Sequence, residues 1–192
     1  MSNGSRIDKT DAKIVAVLSE NHRCTLTDLS KKTGISRPTI TTHLNELIGS
    51  GLLNYSSGFS LRNIDFPSAL VGIEVKGESN RFIAEKSLSR CPRVLNLFRT
   101  SGKANIHVLV WGEDEHTLTS NIECFRNLPN IEIISTLFLG HPIHGDFTVK
   151  IPTEKHIESP CGKLICNDCQ TYKNGNCAGC PATADYRGPL KF

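Results

Sequence analysis

Apolar residues recur at helical spacing through the first quarter of the chain. Ile14, Val17 and Leu18 fall on one face of a helix. The helix is preceded by Asp8 and Asp11, whose three-residue separation is typical of a capping box. The pattern therefore predicts an amphipathic first helix that starts close to Asp8.

Two more helices are predicted before residue 55, joined by the short segment KKTGIS. Thr25 is placed to cap the second helix, and Gly34 to end it in a left-handed conformation. Ser36 is placed to cap the third, with Pro38 in its first turn, where a missing N–H does no harm. The apolar stripe of the third helix is Ile40, Leu44, Leu47 and Ile48. Three such helices with a tight turn predict a helix-turn-helix unit.

Between residues 68 and 152, segments whose apolar residues recur at helical spacing alternate with segments typical of β-strands. Their order, β-α-β-β-α-β, predicts a ferredoxin-like α+β sandwich with one antiparallel sheet and two helices on one face. The predicted organisation is a helix-turn-helix domain at 1–55, a linker or hairpin at 56–67, the ferredoxin-like domain at 68–152 and a Cys-rich tail at 156–192.

The outward face of the third helix carries side chains suited to reading DNA. Arg can pair with guanine and Asn with adenine, and Thr offers a hydroxyl and a methyl group. The candidates for base contacts are Arg37, Pro38, Thr39, Thr42, His43 and Asn45, and the candidates for phosphate contacts are Arg23, Lys31 and Lys32. The alternative is a small helical bundle with a solvated polar face.

The segment IDKTDAKIVAVLSENHRCTLTDLSKKTGISRPTITTHLNELIGSGLL resembles the opening domain of the Lrp/AsnC family of transcriptional regulators. The matching positions are Asp8, Asp11, Ile14, Leu18, Arg23, Leu29, Gly34, Ser36, Ile40, Leu44, Leu47 and Gly51. In that family a ferredoxin-like ligand-sensing domain follows. The resemblance implies a homodimer, or a higher even-numbered homo-oligomer, that binds near-palindromic double-stranded DNA.

Two positions depart from the family pattern. The family usually has Arg where this chain has His43. Near its effector site the family often shows an acidic Gly-Asp-x-Asp-like turn, whereas this chain has Ser101, Gly102, Lys103 and Asn105. These four residues are the candidate effector site, and the loss of the two carboxylates removes the natural partners of an amino group there.

Five of the eight cysteines lie between residues 161 and 180, in the tail, at Cys161, Cys166, Cys169, Cys177 and Cys180. Two Cys-x2-Cys pairs this close together indicate a metal site, because neighbouring thiolates can converge on one ion. Idle or buried cysteines are the alternative, but the tail has few large apolar residues with which to bury them.

The spacing leaves the metal open. Zinc would take the two Cys-x2-Cys pairs as four ligands and leave Cys161 without a role. Cys-x4-Cys-x2-Cys with a more distant Cys, ending in Cys-Pro, is also an iron–sulfur spacing. We favour an iron–sulfur cluster, with a 4Fe–4S cluster as one form of it, over zinc.

The cysteine tail next to a DNA-binding domain suggests that the metal is the signal that modulates DNA binding. One alternative is the same regulator with a structural zinc and a small-molecule effector. Another is an iron–sulfur redox or electron-transfer protein that binds no DNA. We expect no enzyme activity, because no nucleophile set, phosphate loop or paired-carboxylate site stands out.

Charge and the remaining residues change this interpretation little. A net charge of +3 permits nucleic-acid binding without arguing for it. No apolar run approaches the roughly 20 residues of a membrane span and the start is polar, so we expect a cytoplasmic protein without a membrane partner. Cys24, Cys91 and Cys124 stand alone, and Cys124 is expected in the core. His141 and His144 are weak candidates for extra ligands.

Overall fold

The computed structural model describes residues 7–191 and divides into two compact units between residues 56 and 57. Residues 1–6 and 192, which are the predicted outer limits of the first and last segments, lie outside the described part.

The first unit contains three helices, α1 Lys9–Glu20, α2 Leu26–Thr33 and α3 Arg37–Gly49. The predicted capping box of α1 is present, because the side chains of Asp8 and Asp11 each accept the other's backbone N–H. Thr25, the predicted cap of α2, forms a second capping box with Asp28 in the same way. Gly34 ends α2 with a φ of 74°, a conformation that favours glycine. Local sequence signals therefore set every helix boundary that leads to α3.

One apolar cluster holds the three helices together. Its buried members are Ile14, Leu18, Leu29 and Ile40, with Val17, Leu44 and Leu53 partly buried around them. The prediction that Ile48 joins this stripe is wrong, since its side chain is 48% exposed. Eight residues after Ile40 the helix has turned about 80° past the buried face.

The second unit contains a four-stranded antiparallel sheet in the order β3-β4-β2-β5. Its elements are β2 Ser68–Val75, α5 Glu78–Leu88, β3 Val94–Arg99, β4 Ile106–Trp111, α6 Glu115–Cys124 and β5 Ile131–Leu139. One cluster buries residues of α5 and α6 against alternate residues of β2 and β4, so both helices cover the same face. The predicted ferredoxin-like α+β fold is confirmed.

The segment predicted as a linker or hairpin folds onto the second unit. It contains β1 Phe59–Ser60 and α4 Leu61–Ile64, and β1 pairs antiparallel with β6 Thr148–Val149. Phe66 stacks on Trp111 with ring centroids 5.2 Å apart.

The Cys-rich tail has little regular structure and belongs to the same compact unit as the sheet. It contains one turn of 3-10 helix at Cys166–Asp168, the short helix α7 Gln170–Lys173, and a bridge between His156 and Thr183. Tyr186 and Leu190 complete an apolar cluster with Trp111. The tail thus uses the sheet domain as part of its core. Within residues 7–191, no helix combines the length and hydropathy required to cross a bilayer.

Candidate DNA-binding surface and cysteine-lined cavity

Helix α3 presents most of the predicted DNA-contacting residues to solvent. Arg37, Pro38, Thr39, Thr42 and Asn45 are exposed on α3, and Arg23, Lys31 and Lys32 are exposed elsewhere in the first unit. The buried face of the same helix, with Ile40 and Leu47, fixes their orientation. A recognition helix needs this division between a packed face and a free face.

His43 is the exception, because it is half-buried and connects α3 to α1. Its Nδ1 donates to Asp11 Oδ1 over 2.7 Å, which leaves Nε2 as the ring nitrogen able to reach DNA. This hydrogen bond raises the pKa of His43. The backbone N–H of Asp8, together with His43, lowers the pKa of Asp11. The capping box and the histidine therefore share one carboxylate.

The predicted effector turn lies between β3 and β4. Asn105 bonds to the main chain of Val75 in both directions, accepting from its N–H at 3.0 Å and donating to its carbonyl at 2.9 Å. Gly102 has a φ of 108°, and Ser101 and Lys103 are exposed. The Asn105 side chain therefore joins β2 to the start of β4, with its amide already occupied.

Seven of the eight cysteines converge on one cavity of about 60 Å³ in the second unit. All five cysteines of the predicted metal site line it. Cys91 and Cys124, which had been interpreted as isolated, line it as well. The expectation that Cys124 belongs to the core of the sheet domain is corrected here, because its thiol borders this cavity.

The sulfurs surround the cavity and do not gather around one point. Among the described residues, no three cysteine sulfurs lie within 4.8 Å of one another. Cys166 Sγ accepts a hydrogen bond from the backbone N–H of Cys180 at 3.5 Å and lies 3.6 Å from Thr183 Oγ1. These contacts link the two Cys-x2-Cys segments directly.

Burial and mutual contact shift the pKa values of the cysteine thiols in opposite directions. Burial raises the pKa of Cys124 and of Cys180 to about 12. A hydrogen bond with Cys91 lowers the pKa of Cys161 to about 7, and the same contact together with burial raises the pKa of Cys91. Most of these groups are therefore neutral thiols until a cation displaces their protons.

A buried positive charge lies next to the cavity. Arg93 donates to Glu113 Oε2 at 2.6 Å and to the carbonyl of Gly179 at 2.6 Å. Tyr186 donates to the other oxygen of Glu113 at 2.7 Å. Burial works against the charge of Arg93, but the carboxylate of Glu113 raises its pKa overall. This network connects the sheet domain to the second Cys-x2-Cys segment.

One face of α6 forms a wall of the cavity and a docking surface for the tail. Thr117, Ser120, Asn121 and Cys124 follow the spacing of a single helical face. Thr117 Oγ1 accepts from the N–H of Ala178 at 3.0 Å, and Ser120 donates to the carbonyl of Asn176 at 3.0 Å. Polar residues at this spacing are equally typical of a solvent-exposed helical face, so the contact with the tail is visible only in the structure.

Asn121 lines the same cavity and is only 8% exposed. Its Nδ2 is buried and has no hydrogen-bond partner. A buried amide donor without a partner costs about 1–3 kcal/mol, so its place on the cavity wall requires an explanation.

The weaker candidates lie elsewhere. His141 Nε2 is 3.0 Å from Asp65 Oδ1, and His144 is exposed. Neither histidine lines the cysteine cavity. Cys24 belongs to the first unit, partly buried against its apolar cluster.

Residues 7–54 match the winged helix-turn-helix DNA-binding family. An uncharacterized HTH-type transcriptional regulator of Pyrococcus furiosus is 30% identical over 138 residues, which cover 70% of this chain and 93% of that protein. The HTH-type transcriptional regulator LrpA of Pyrococcus horikoshii is 26% identical over 118 residues, which cover 60% of this chain and 83% of that protein.

Solved structures share this fold. AsnC of E. coli superimposes with a TM-score of 0.61 at 22% identity, covering 73% of this chain and 97% of AsnC. A transcriptional regulator from Neisseria meningitidis, solved as an L-Met complex, gives a TM-score of 0.60 at 22% identity and covers 76% of this chain and 97% of its own.

The relatives that the chain matches are transcriptional regulators and not enzymes. The helix-turn-helix unit, the ferredoxin-like sheet domain and the 30% identity over most of a regulator agree with one another. The chain belongs to the Lrp/AsnC family of DNA-binding helix-turn-helix transcriptional regulators.

Proposed function

We propose that this regulator reads double-stranded DNA with α3 and that a metal centre in the cysteine cavity modulates its DNA affinity. The proposed centre is an iron–sulfur cluster, with a 4Fe–4S cluster as one form of it. The observation that carries the proposal is the convergence of seven cysteines on one cavity beside a buried arginine.

The DNA-contact assignment rests on exposure and chemistry. Arg37 lies at the N-terminal end of α3, the part of a recognition helix that reaches base edges. Thr42 donates its hydroxyl to the carbonyl of Pro38, so its methyl group is the part free to meet a thymine. Lys31 and Lys32 lie in the last turn of α2 and are suited to phosphate contacts.

The residues present fit a metal centre. Sulfur is a weak hydrogen-bonding partner, so a water in a cavity lined largely by cysteines would be poorly held. Thiolates bind soft metals well, and the five tail cysteines supply more ligands than one four-coordinate ion needs. Arg93 adds a fixed positive charge beside a site whose thiolates would carry several negative charges.

The spread of the sulfurs favours a cluster over a single zinc ion. With Zn–S bonds of about 2.3 Å, tetrahedral ligands lie about 3.8 Å apart. No three cysteine sulfurs in residues 7–191 come within 4.8 Å of one another, and about 60 Å³ remains between them. That volume has room for about four water-sized spheres, more than one ion would fill.

The link to DNA affinity runs through the tail and the assembly of subunits. The tail has no large core of its own. We therefore expect the bound metal to keep it ordered and the tail to lose order when the metal is removed. We expect homodimers, or higher even-numbered oligomers, built on edge strand β5, where Leu137, Phe138 and Leu139 are exposed. The tail belongs to the unit through which the subunits associate, so a change in the tail alters how the subunits pack. The packing of the subunits sets the distance between the DNA half-sites that they bind.

A small-molecule effector with a structural zinc is the competing function. The Neisseria meningitidis regulator was solved as an L-Met complex, which favours a small-molecule effector. In this chain the amide of Asn105 already bonds to Val75, and Lys103 is a cation. An amino group would find no carboxylate at these positions, so the metal remains the better candidate for the signal.

The test is anaerobic purification followed by an absorption spectrum and analysis for iron, sulfide and zinc. We expect a brown protein with iron and sulfide in equal amounts and an absorption band that air bleaches. Selection from a random double-stranded DNA pool should then yield a near-palindromic site. A colourless protein with one zinc per chain would overturn the iron–sulfur assignment, and failure to enrich any site would overturn specific DNA binding.

A further inference from the structure

Helix α6 carries two residues, Cys124 and Asn121, that face the cysteine cavity from outside the tail. The sequence did not indicate this role, since Cys124 stands 37 residues before the first tail cysteine. The two side chains are three residues apart, which puts them one above the other on the helix surface. Their joint position is the starting point for a specific assignment.

We infer that Cys124 is a ligand of the metal centre and that Asn121 donates a hydrogen bond to its sulfur. The site is then shared between the tail and the ferredoxin-like domain. This inference rests on the proposed metal centre and specifies the residues that hold it.

The geometry around Cys124 supports a ligand role. Cys124 lines the same cavity as Cys161, Cys169 and Cys177, which come from three different parts of the tail. The hydrogen bonds of Thr117 and Ser120 to the tail, on the same helical face, fix α6 against the second Cys-x2-Cys segment. A thiol held in this way stays within the ring of sulfurs without any movement of the helix.

The unpartnered amide of Asn121 is the second, independent observation. Its Nδ2 is buried, lines the cavity and meets no acceptor among the described residues. A cluster sulfide or a metal-bound thiolate is an acceptor of the kind that such sites use, and hydrogen bonds to sulfur tune cluster potentials. A sulfur acceptor in the cavity would give the buried Nδ2 of Asn121 a hydrogen-bond partner and remove the free-energy cost of leaving it without one.

A shared site has a mechanical consequence. When the metal leaves, the tail loses its thiolate link to α6 and keeps the weaker hydrogen bonds of Thr117 and Ser120 to it. Helix α6 also packs on the sheet through Leu118 and Ile122. Metal occupancy is thereby connected to the same helix that forms the core of the ferredoxin-like domain.

The first experiment compares Cys124→Ala with two controls in the full-length protein, all purified anaerobically. Cys24→Ala removes the one cysteine outside the cavity, and Ser120→Ala weakens tail docking without removing a thiol. We expect Cys124→Ala to lose at least fivefold in iron per chain, while both controls keep the wild-type value. Wild-type iron and an unchanged spectrum in Cys124→Ala would overturn the ligand assignment, and a Ser120→Ala variant that loses as much iron would reduce it to docking.

The second experiment measures the midpoint potential of the wild type and Asn121→Leu, which has a similar volume and no donor. We expect Asn121→Leu to retain iron and to show a lower potential, because the lost N–H···S bond stabilised the more negative reduced state. An unchanged potential with full iron content would contradict the role of Asn121. If the wild type itself contains no iron or sulfide, the proposed iron–sulfur centre fails, which differs from a failure confined to these variants.

Discussion

The helix-turn-helix unit and the Cys-rich tail are stabilised in opposite ways. The first unit buries Ile14, Leu29 and Ile40 among three capped helices, within a compact unit that ends at residue 56. Within residues 156–191 the tail contains one α-helix of four residues and one turn of 3-10 helix, and its cysteines lie beside a buried ion pair and the surface of α6. One region is a small apolar core, and the other carries the proposed ligands of a metal centre.

This difference teaches where the molecule can respond to its surroundings. A packed apolar core changes little with redox state or metal supply, whereas a site made of thiolates changes with both. The predictions below are ordered by expected size, and each one disturbs one of the two regions while leaving the other intact.

The largest effect is expected from removing two tail cysteines together. Cys166→Ala with Cys177→Ala takes one thiol from each Cys-x2-Cys pair, and we expect at least a tenfold loss of bound metal with rapid proteolysis of the tail. Metal analysis and limited proteolysis with mass spectrometry measure both. Helical signal from the first unit should persist, and a tail that resists protease as well as the wild type would refute the dependence on metal.

A core substitution in the first unit should destabilise that unit and leave the metal content of the tail unchanged. Leu29 is almost completely buried between the helices, so Leu29→Ala should lower the free energy of unfolding of this unit by about 2–5 kcal/mol. Urea denaturation followed by circular dichroism gives the value. Metal content per chain should match the wild type, and a parallel loss of metal would mean that the two regions do not fold independently.

A smaller and more selective effect is expected at the end of α3. Arg37→Ala removes an exposed guanidinium suited to guanine and should weaken specific DNA binding by about 1–3 kcal/mol, which is about 5- to 150-fold. Fluorescence anisotropy on a selected site provides the affinity. Lys76→Ala removes an exposed cation from the second unit and is the control. Equal losses in both variants would show that only net charge matters.

The smallest effect concerns the pH dependence of the first unit. The hydrogen bond to Asp11 raises the pKa of His43 above its ordinary value. The stabilisation is therefore fully present below the unfolded pKa of about 6.5 and is lost as the pH rises through the raised folded value. The melting temperature of the first unit should fall slightly from pH 6 to pH 8.5. His43→Gln should remove this slope and the exposed control His22→Gln should retain it; an unchanged slope in His43→Gln would exclude the pair as its source.

The sequence alone predicted the first unit almost completely. Capping residues such as Asp8 and Thr25 act on atoms three residues away, so their signals lie within a few letters of the helices they start. The prediction for Ile48 was wrong because the width of the buried face of α3 depends on how the other helices pack against it. The sequence of one helix does not contain that information.

The cavity was only half predictable. The spacing of the five tail cysteines predicted that they lie close together. Cys91 and Cys124 reach the same cavity only through the tertiary fold. No residue near Cys91 in the sequence indicates that it lies beside the tail cysteines. The polar face of α6 at Thr117, Ser120 and Asn121 was a visible clue, yet a solvent-exposed helix would show the same spacing. Long-range convergence of this kind requires coordinates.

The most direct test of the central claim is a comparison of DNA affinity with and without the metal. The full-length protein is purified anaerobically, one half is depleted by chelation under reducing conditions, and both halves are titrated onto the same selected DNA fragment at fixed salt. Cys24→Ala, treated in the same way, controls for thiol chemistry outside the cavity. The account predicts affinities that differ at least tenfold between the two halves and are restored by reconstitution. Equal affinities in both halves would contradict it and leave the metal as a structural component only.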